Sequence, residues 1–255
     1  MQRVSEWLAA VAEWFEGCFS QPIQAWYAGV ARDFYTNLVF ADRYKLLLNG
    51  LGETLTITFF AAVFGILLGC IIALMRLSNA RIGRWHYLRS IASVYVDVIR
   101  GTPVVAQLMI VFFLILATSR NKTLVAIIAF SANSAAYVSE MVRGGILAVD
   151  KGQTEAGRSL GLSGAATMLL IIMPQAIKIM LPSLFNELVM LLKETAIVGI
   201  IGHMDLAKSA DIIQSRTFSA FFPLMTMTII YYLVYTILTR VFARVERRLR
   251  QGDLR

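Results

Sequence analysis

Charge is what this sequence has least of. Asp, Glu, Lys and Arg together make 16% of its 255 residues, against roughly 25% in an ordinary soluble domain. That shortage argues against most cytosolic enzymes and against a nucleic-acid-binding module. Cysteine is nearly absent too. Cys18 and Cys70 stand far apart, and Cys70 lies inside an apolar run, so no disulfide framework or metal-ligand spacing can be built. No G-x-x-x-x-G-K-[ST] phosphate loop occurs, so nucleotide cannot be held by that device. Also missing is the clean apolar core of a signal peptide, because Glu6, Glu13 and Glu16 interrupt the start.

Apolar surface fills the space that charge leaves. Hydrophobic residues make 58% of the chain and the mean hydropathy is +0.67, which excludes a disordered chain. The net charge of +8 comes from Lys and Arg clustered between long uncharged runs, the pattern of membrane loops rather than of a DNA-binding face. Crossing about 30 Å of hydrocarbon takes about 20 helical residues. Residues 55–75, 101–119, 123–139, 159–177 and 217–239 carry no charge, and 179–204 is apolar apart from Glu187, Lys193 and Glu194.

Parity follows from the arginines. Arg76, Arg81, Arg84 and Arg89 follow the first run without an acid, and Arg240, Arg244, Arg247, Arg248, Arg250 and Arg255 follow the last with only Glu246 and Asp253. Both clusters belong in the cytoplasm, so five runs cross and one does not. The odd one is 159–177, which carries Gly157, Gly161 and Gly164 at its start and Pro174 near its end. It reads as a cytoplasmic pair of short helices, 154–160 and 165–172, turning at 161–164 and docking on a partner. The expected fold is therefore an all-α membrane protein. It has five transmembrane helices, N-terminus outside, C-terminus inside, with cytoplasmic coupling helices between spans 3 and 4. The spans are placed at about 50–75, 95–118, 122–143, 183–203 and 218–240, with the loop at 150–178. Residues 1–45 form an amphipathic extracytoplasmic extension, in which Trp7, Val11, Trp14, Phe15 and Cys18 share one face. Residues 46–249 form the membrane domain and 250–255 a cytoplasmic tail.

Polar residues inside the spans mark the candidate pathway, because ionisable groups in hydrocarbon need a cavity or a partner. Glu187 and Glu194 form one i,i+7 row with Asn186 and Lys193 beside it, and Asn133, Tyr137 and Glu140 follow at i, i+4 and i+7. The two polar faces are expected to enclose a wet cavity, or else to form a salt-bridge network tying the helices together. Gly65 and Gly69 make a GxxxG suited to close helix packing. Lys193 and Glu187 put opposite charges on one helix sector, and Asn133, Tyr137 and Gln107 offer neutral hydrogen bonds, so these five are the candidate substrate-binding residues.

Glu155-Ala156-Gly157, Gly161 and Ile171-x-Met173-Pro174 resemble the EAA loop of ABC importer permeases, with Gly157 in place of Ala and Met173 in place of Leu. Arg100-Gly101-Thr102-Pro103 through Gln107-Leu108 is similar to a segment of the polar amino acid uptake permeases. So are Asn133 to Tyr137 with Glu140, Arg143-Gly144, Lys151-Gly152-Gln153, Asn186-Glu187, Leu192 to Thr195 and Ser215 to Phe218. The resemblance runs from about Leu46 to Leu249. It implies a permease subunit of an ATP-driven importer for a polar or charged amino acid, a transport subunit rather than an enzyme, in the bacterial inner membrane. It further implies a second permease copy, two ATP-binding cassette ATPases that bind ATP and Mg, an extracytoplasmic amino-acid-binding protein and no cofactor in this chain. Glu155, Ala156, Arg158, Gly161 and Pro174 would carry the coupling to the ATPase. With the amino acid that the resemblance implies crossing as a zwitterion, Lys193 would take its carboxylate and Glu187 its ammonium or a basic side chain, with Asn133, Tyr137 and Gln107 giving neutral hydrogen bonds. An ion-coupled secondary transporter is the alternative, although no inverted repeat supports it. An intramembrane serine protease using Ser163 of Gly161-Leu162-Ser163-Gly164 with His203 is a remoter one.

Overall fold

The computed structural model describes residues 21–78 and 87–250, and every regular element among them is a helix. The elements are α1 (Gln21–Phe34), α2 (Arg43–Leu77), α3 (Tyr87–Arg100), α4 (Val104–Ile110), α5 (Lys122–Leu147), α6 (Lys151–Ser159), α7 (Gly164–Thr167), α8 (Met173–Glu194), α9 (Leu206–Thr217) and α10 (Phe221–Arg250). Wider or tighter turns continue α4 (Val111–Ile115), α7 (Met168–Ile172) and α8 (Thr195–Ile201). The amphipathic segment expected at Trp7 to Cys18, and Arg81, Arg84 and Arg255, lie outside the described residues.

Helices α2 and α5 form the central pair, and glycine sets their separation. A Cβ on Gly69 would stand 2.6 Å from the Cβ of Val138 and 3.0 Å from the Ala135 carbonyl. One on Gly65 would stand 2.9 Å from the Cβ of Ser134. The GxxxG stripe therefore works as packing surface within this chain. Contacts along the pair fix its direction. Thr123 donates to Glu53 near the start of both helices, and Arg76 meets Glu140 near the end of both. The two helices run parallel, so residues 78–121 must return from the Arg76 end of the bundle to the Arg43 end.

That return is made by α3 and α4, whose axes meet at 109°. The run expected as a span at about 95–118 is thus bent within its length. Pro103 has no N–H to donate and disfavours a helical residue before it, and Gly101 closes α3 by donating its N–H to the Asp97 carbonyl at 2.9 Å. When α4 stands along the bundle, α3 lies about 19° (109° minus 90°) from the plane across it.

Helix α8 runs antiparallel to α5. Gly145 lies against Ala176 and Met180 at the Arg76 end, Ser134 reaches Glu187 midway, and Lys122 donates to the Gly202 carbonyl at the Arg43 end. Helix α10 returns the chain to the Arg76 end. Its Met227, Ile230 and Tyr231 pack on Leu47, Leu206 and Ile213, and its Phe242 stacks on Phe185 at 4.1 Å. The start of α2 and the end of α10 consequently lie at opposite ends of the bundle. Among the described residues, four helices are long and apolar enough to cross a membrane, or five when the bent pair counts as one span.

The loop of 150–178 differs from two separate short helices. α6 spans Lys151–Ser159 where 154–160 was expected, the chain turns at Gly161, and the second helix does not stop at residue 172. It runs from Gly164 through the wide turn Met168–Ile172 straight into α8. Pro174 stands directly after the wide turn Met168–Ile172, where the altered hydrogen-bond ladder accommodates its missing N–H, so it shapes the junction without ending the helix.

Candidate functional site

Three polar constellations lie along the bundle, and two of the predicted site residues meet in the first. Gln107 of α4 donates from Nε2 to the Ile99 carbonyl at 2.7 Å, the Thr102 carbonyl at 3.1 Å and Thr102 Oγ1 at 2.9 Å. Its Oε1 accepts from Asn133 Nδ2 at 2.8 Å. Both side chains are buried. They brace the corner at Pro103 against α5, so the groups assigned to substrate are occupied by each other. Tyr137 stands one turn further along α5 with its ring under the Arg100 guanidinium, 5.5 Å from the centroid.

The second constellation centres on Glu187. Ser134, which the sequence offered as part of a motif but not as a partner, donates to Glu187 Oε1 at 2.8 Å. The void beside them, lined by Ala62, Ile66 and Leu188, holds about 10 Å³, at most one water. The wet cavity expected between α5 and α8 is absent here because Gly65 lets α2 press Ser134 onto α8. Lys193 is exposed on α8, in one row with Ser183, Asn186 and Met190. Among the described residues it forms no salt bridge with Glu187 or Glu194. The ion pair that would tie the helices together is therefore not formed either. Helix geometry separates them: Glu187 faces the bundle, and Lys193 faces out of it.

At the Arg76 end, Glu140 gathers three arginines. Arg76 Nη1 stands 2.6 Å from its Oε1, Arg143 contacts Oε2 at 2.8 Å, and Arg100 approaches Oε1 at 3.6 Å. Sequence reading used these arginines for topology and motif but could not place them around one carboxylate.

The same end carries the α6–α7 loop. Asp150 caps α6 by accepting from the Gly152 N–H at 2.7 Å, and Ser163 caps α7 by accepting from the Ala166 N–H. Between them Gly161 takes φ +81°, while Leu162 N–H reaches the Gly157 carbonyl at 3.1 Å. This reversal needs a residue without Cβ strain at the helix end. Gly157 is packed under Thr167 and Ile171, within 2.9 Å of where its Cβ would be. Glu155, Ala156 and Arg158 are exposed on α6, Pro174 is exposed at the start of α8, and Leu160, Leu169 and Leu170 are 80%, 69% and 65% exposed. An apolar hairpin end is thereby left uncovered. Ser163 is engaged as a cap at this end, whereas His203 pairs with Glu53 at 3.2 Å at the other. That separation removes the Ser163 and His203 dyad. Among the described residues no group of three His, Cys, Asp or Glu could hold a metal ion.

Comparison with known proteins follows the same pattern. A profile of the binding-protein-dependent transport system inner membrane component family matches residues 65–251. The arginine transport system permease protein ArtQ of Bacillus subtilis (strain 168) is 41% identical over 210 residues, covering 81% of this chain and 94% of ArtQ. The putative glutamine transport system permease protein GlnP of Rickettsia bellii (strain RML369-C) is 37% identical over 213 residues, covering 82% and 95%. A crystal structure of an amino acid ABC transporter with histidines superimposes with a TM-score of 0.75 at 40% identity, over 83% of this chain and 97% of that one.

Proposed function

The chain belongs to the family of binding-protein-dependent transport system inner membrane components, and from that membership and the geometry of its two ends we propose how it works. It is a permease subunit of an amino acid ABC transport system, a transport subunit and not an enzyme. We read it as an importer for a polar or charged amino acid, in line with the arginine and glutamine systems of its relatives. It crosses the bacterial inner membrane five times within residues 46–249. The Arg43 end and the extension of 1–45 face outward. The Arg76 end and the tail of 250–255 face the cytoplasm, as the clustered arginines require. ATP and Mg are bound by a separate ATPase dimer. A second permease copy completes the pathway, and an extracytoplasmic binding protein delivers the substrate.

The observation that carries this reading is the uncovered α6–α7 hairpin at the arginine-rich end. Its exposed leucines gain by burial in an apolar groove, and Glu155, Ala156 and Arg158 form a mostly polar rim. The hairpin is fused to α8 without a break, so a rigid displacement of the ATPase is passed along α8 to Glu187 and Lys193. Gly161 keeps the turn and Pro174 the junction. Substrate then meets Lys193 on the outward row of α8 through its carboxylate and Glu187 through its ammonium or a basic side chain. Tyr137, Asn133 and Gln107 provide neutral contacts once the seam opens.

The test uses the complex reconstituted in vesicles. Gly161→Val should strain the turn and lower substrate-stimulated ATPase activity while leaving the permease inserted. Lys193→Met with Glu187→Gln should abolish uptake with the ATPase still bound. Uptake of unchanged apparent affinity in that double variant would remove both residues from the site.

A further inference from the structure

The cluster around Glu140 has more donors than the protein uses. Three guanidiniums, each with a fork of N–H groups, surround one carboxylate, so the described group carries a net charge of +2 (three positive, one negative). Arg76 is 12% exposed and closely engaged, and Arg143 contacts the carboxylate through both Nε and Nη2. Arg100 differs. It is 46% exposed, its contact with Glu140 at 3.6 Å is too long for a hydrogen bond, and its guanidinium lies over the Tyr137 ring. Asp97, one turn earlier and exposed, makes no ion pair among the described residues.

The helix that ends in Arg100 is itself unusual. With α4 upright, the bend of 109° leaves α3 about 19° (109° minus 90°) out of the plane across the bundle. It buries Ala92 and Val96 on the protein, yet leaves Ile91, Val94 and Val98 between 55% and 62% exposed along one stripe. A flat amphipathic helix with an uncovered apolar stripe and arginines at its end is suited to the interface of a bilayer.

We propose that the Arg100 end of α3 seats the phosphate of an anionic phospholipid, whose chains lie beside Ile91, Val94 and Val98. Charge complementarity selects the occupant. A phosphodiester offers one negative charge and two free oxygens, and an arginine fork binds such a group through paired hydrogen bonds. The exposed apolar stripe on the same helix selects a lipid over a free anion. The inference does not depend on which end faces the cytoplasm, since the test membrane is symmetric.

The permease, isolated with its copurifying subunits, is placed in nanodiscs of phosphatidylcholine mixed with an equal amount of phosphatidylglycerol. Lipids retained after transfer to detergent are counted by native mass spectrometry. Phosphatidylglycerol should be retained in preference, and Arg100→Gln should reduce that retention about fivefold. Arg100→Lys, which keeps the charge but loses the fork, should fall between. Arg244→Gln, an equal loss of charge on exposed α10, should change nothing. Millimolar inorganic phosphate should fail to displace the lipid. Wild-type retention in Arg100→Gln, or an equal loss in Arg244→Gln, would overturn the proposal, and so would full displacement by phosphate. If Arg100→Gln fails to fold in phosphatidylcholine alone, the comparison of Arg100→Lys with wild type decides.

Discussion

Ser134 shows how a single hydroxyl links packing to chemistry. It is pressed against α8 because Gly65 has no side chain, and it donates to the Glu187 carboxylate. Removing it by Ser134→Ala leaves a half-buried carboxylate without its donor, at a cost of about 1–3 kcal/mol. We expect a lower melting temperature and a weaker apparent affinity in uptake assays, with the maximal rate less affected. Asp205 makes a second case. It is fully buried, and burial pushes its carboxyl above the usual range, while the N–H groups of Lys208 and Ala207 pull the other way. A carboxyl held above its unfolded value contributes most below that value and loses its contribution as pH rises through the folded one. Asp205→Asn keeps the acceptor that caps α9. The variant should therefore gain on the wild type in thermal melts as pH is raised from about 4 to about 7. In the sequence, Glu187 and Lys193 were legible as an intramembrane polar sector. Which of them faces the bundle was not, because the side of α8 that meets α5 is set by packing such as that of Gly145 against Ala176 and Met180.

At the scale of elements, the corner at Pro103 holds more information than its motif suggests. Gln107 satisfies Ile99, Thr102 and Asn133 together. Gln107→Leu keeps the volume and strands all of them, so it should destabilise the protein by on the order of 3 kcal/mol. Asn133→Ala should cost less, because the bonds from Gln107 to Ile99 and Thr102 survive. Chemical denaturation of the two variants in detergent would rank them. The apolar runs identified helices well, since length and lack of charge are local properties. A bend of 109° between α3 and α4 is not local in the same way. Pro103 announces an interruption, but the angle is fixed by the brace to Asn133, 26 positions away. The α6–α7 turn was legible because Gly161 adopts positive φ, a local demand. Its fusion with α8 was not, because Pro174 ordinarily stops a helix interior, and the wide turn at Met168–Ile172 that accommodates it leaves no mark in the sequence.

For the whole molecule, the arginine clusters and the run directions point to one orientation. With Cys18 and Cys70 replaced by alanine, a cysteine at Gly52 should react with an impermeant thiol reagent applied outside intact cells. The site is open, since nothing lies within 4 Å of a Cβ there. A cysteine at Gln251 should react only after the membrane is opened. The reverse pattern would invert the proposed topology and place the α6–α7 hairpin outside the cell.

The parallel course of α2 and α5 also bears on biosynthesis. A helix that pairs with its immediate successor can do so as soon as that successor leaves the ribosome. α2 meets its successor α3, but the neighbours of Gly65 and Gly69 lie on α5, which arrives only after the intervening segment has been threaded back. During that interval α2 waits in the membrane with its small-residue stripe uncovered. A nascent chain truncated at residue 121 should be cleared quickly by membrane proteases, and one truncated after Leu147 should persist, in a pulse-chase comparison. Equal lifetimes would mean that α2 finds an interim shelter, from lipid or from the insertion machinery.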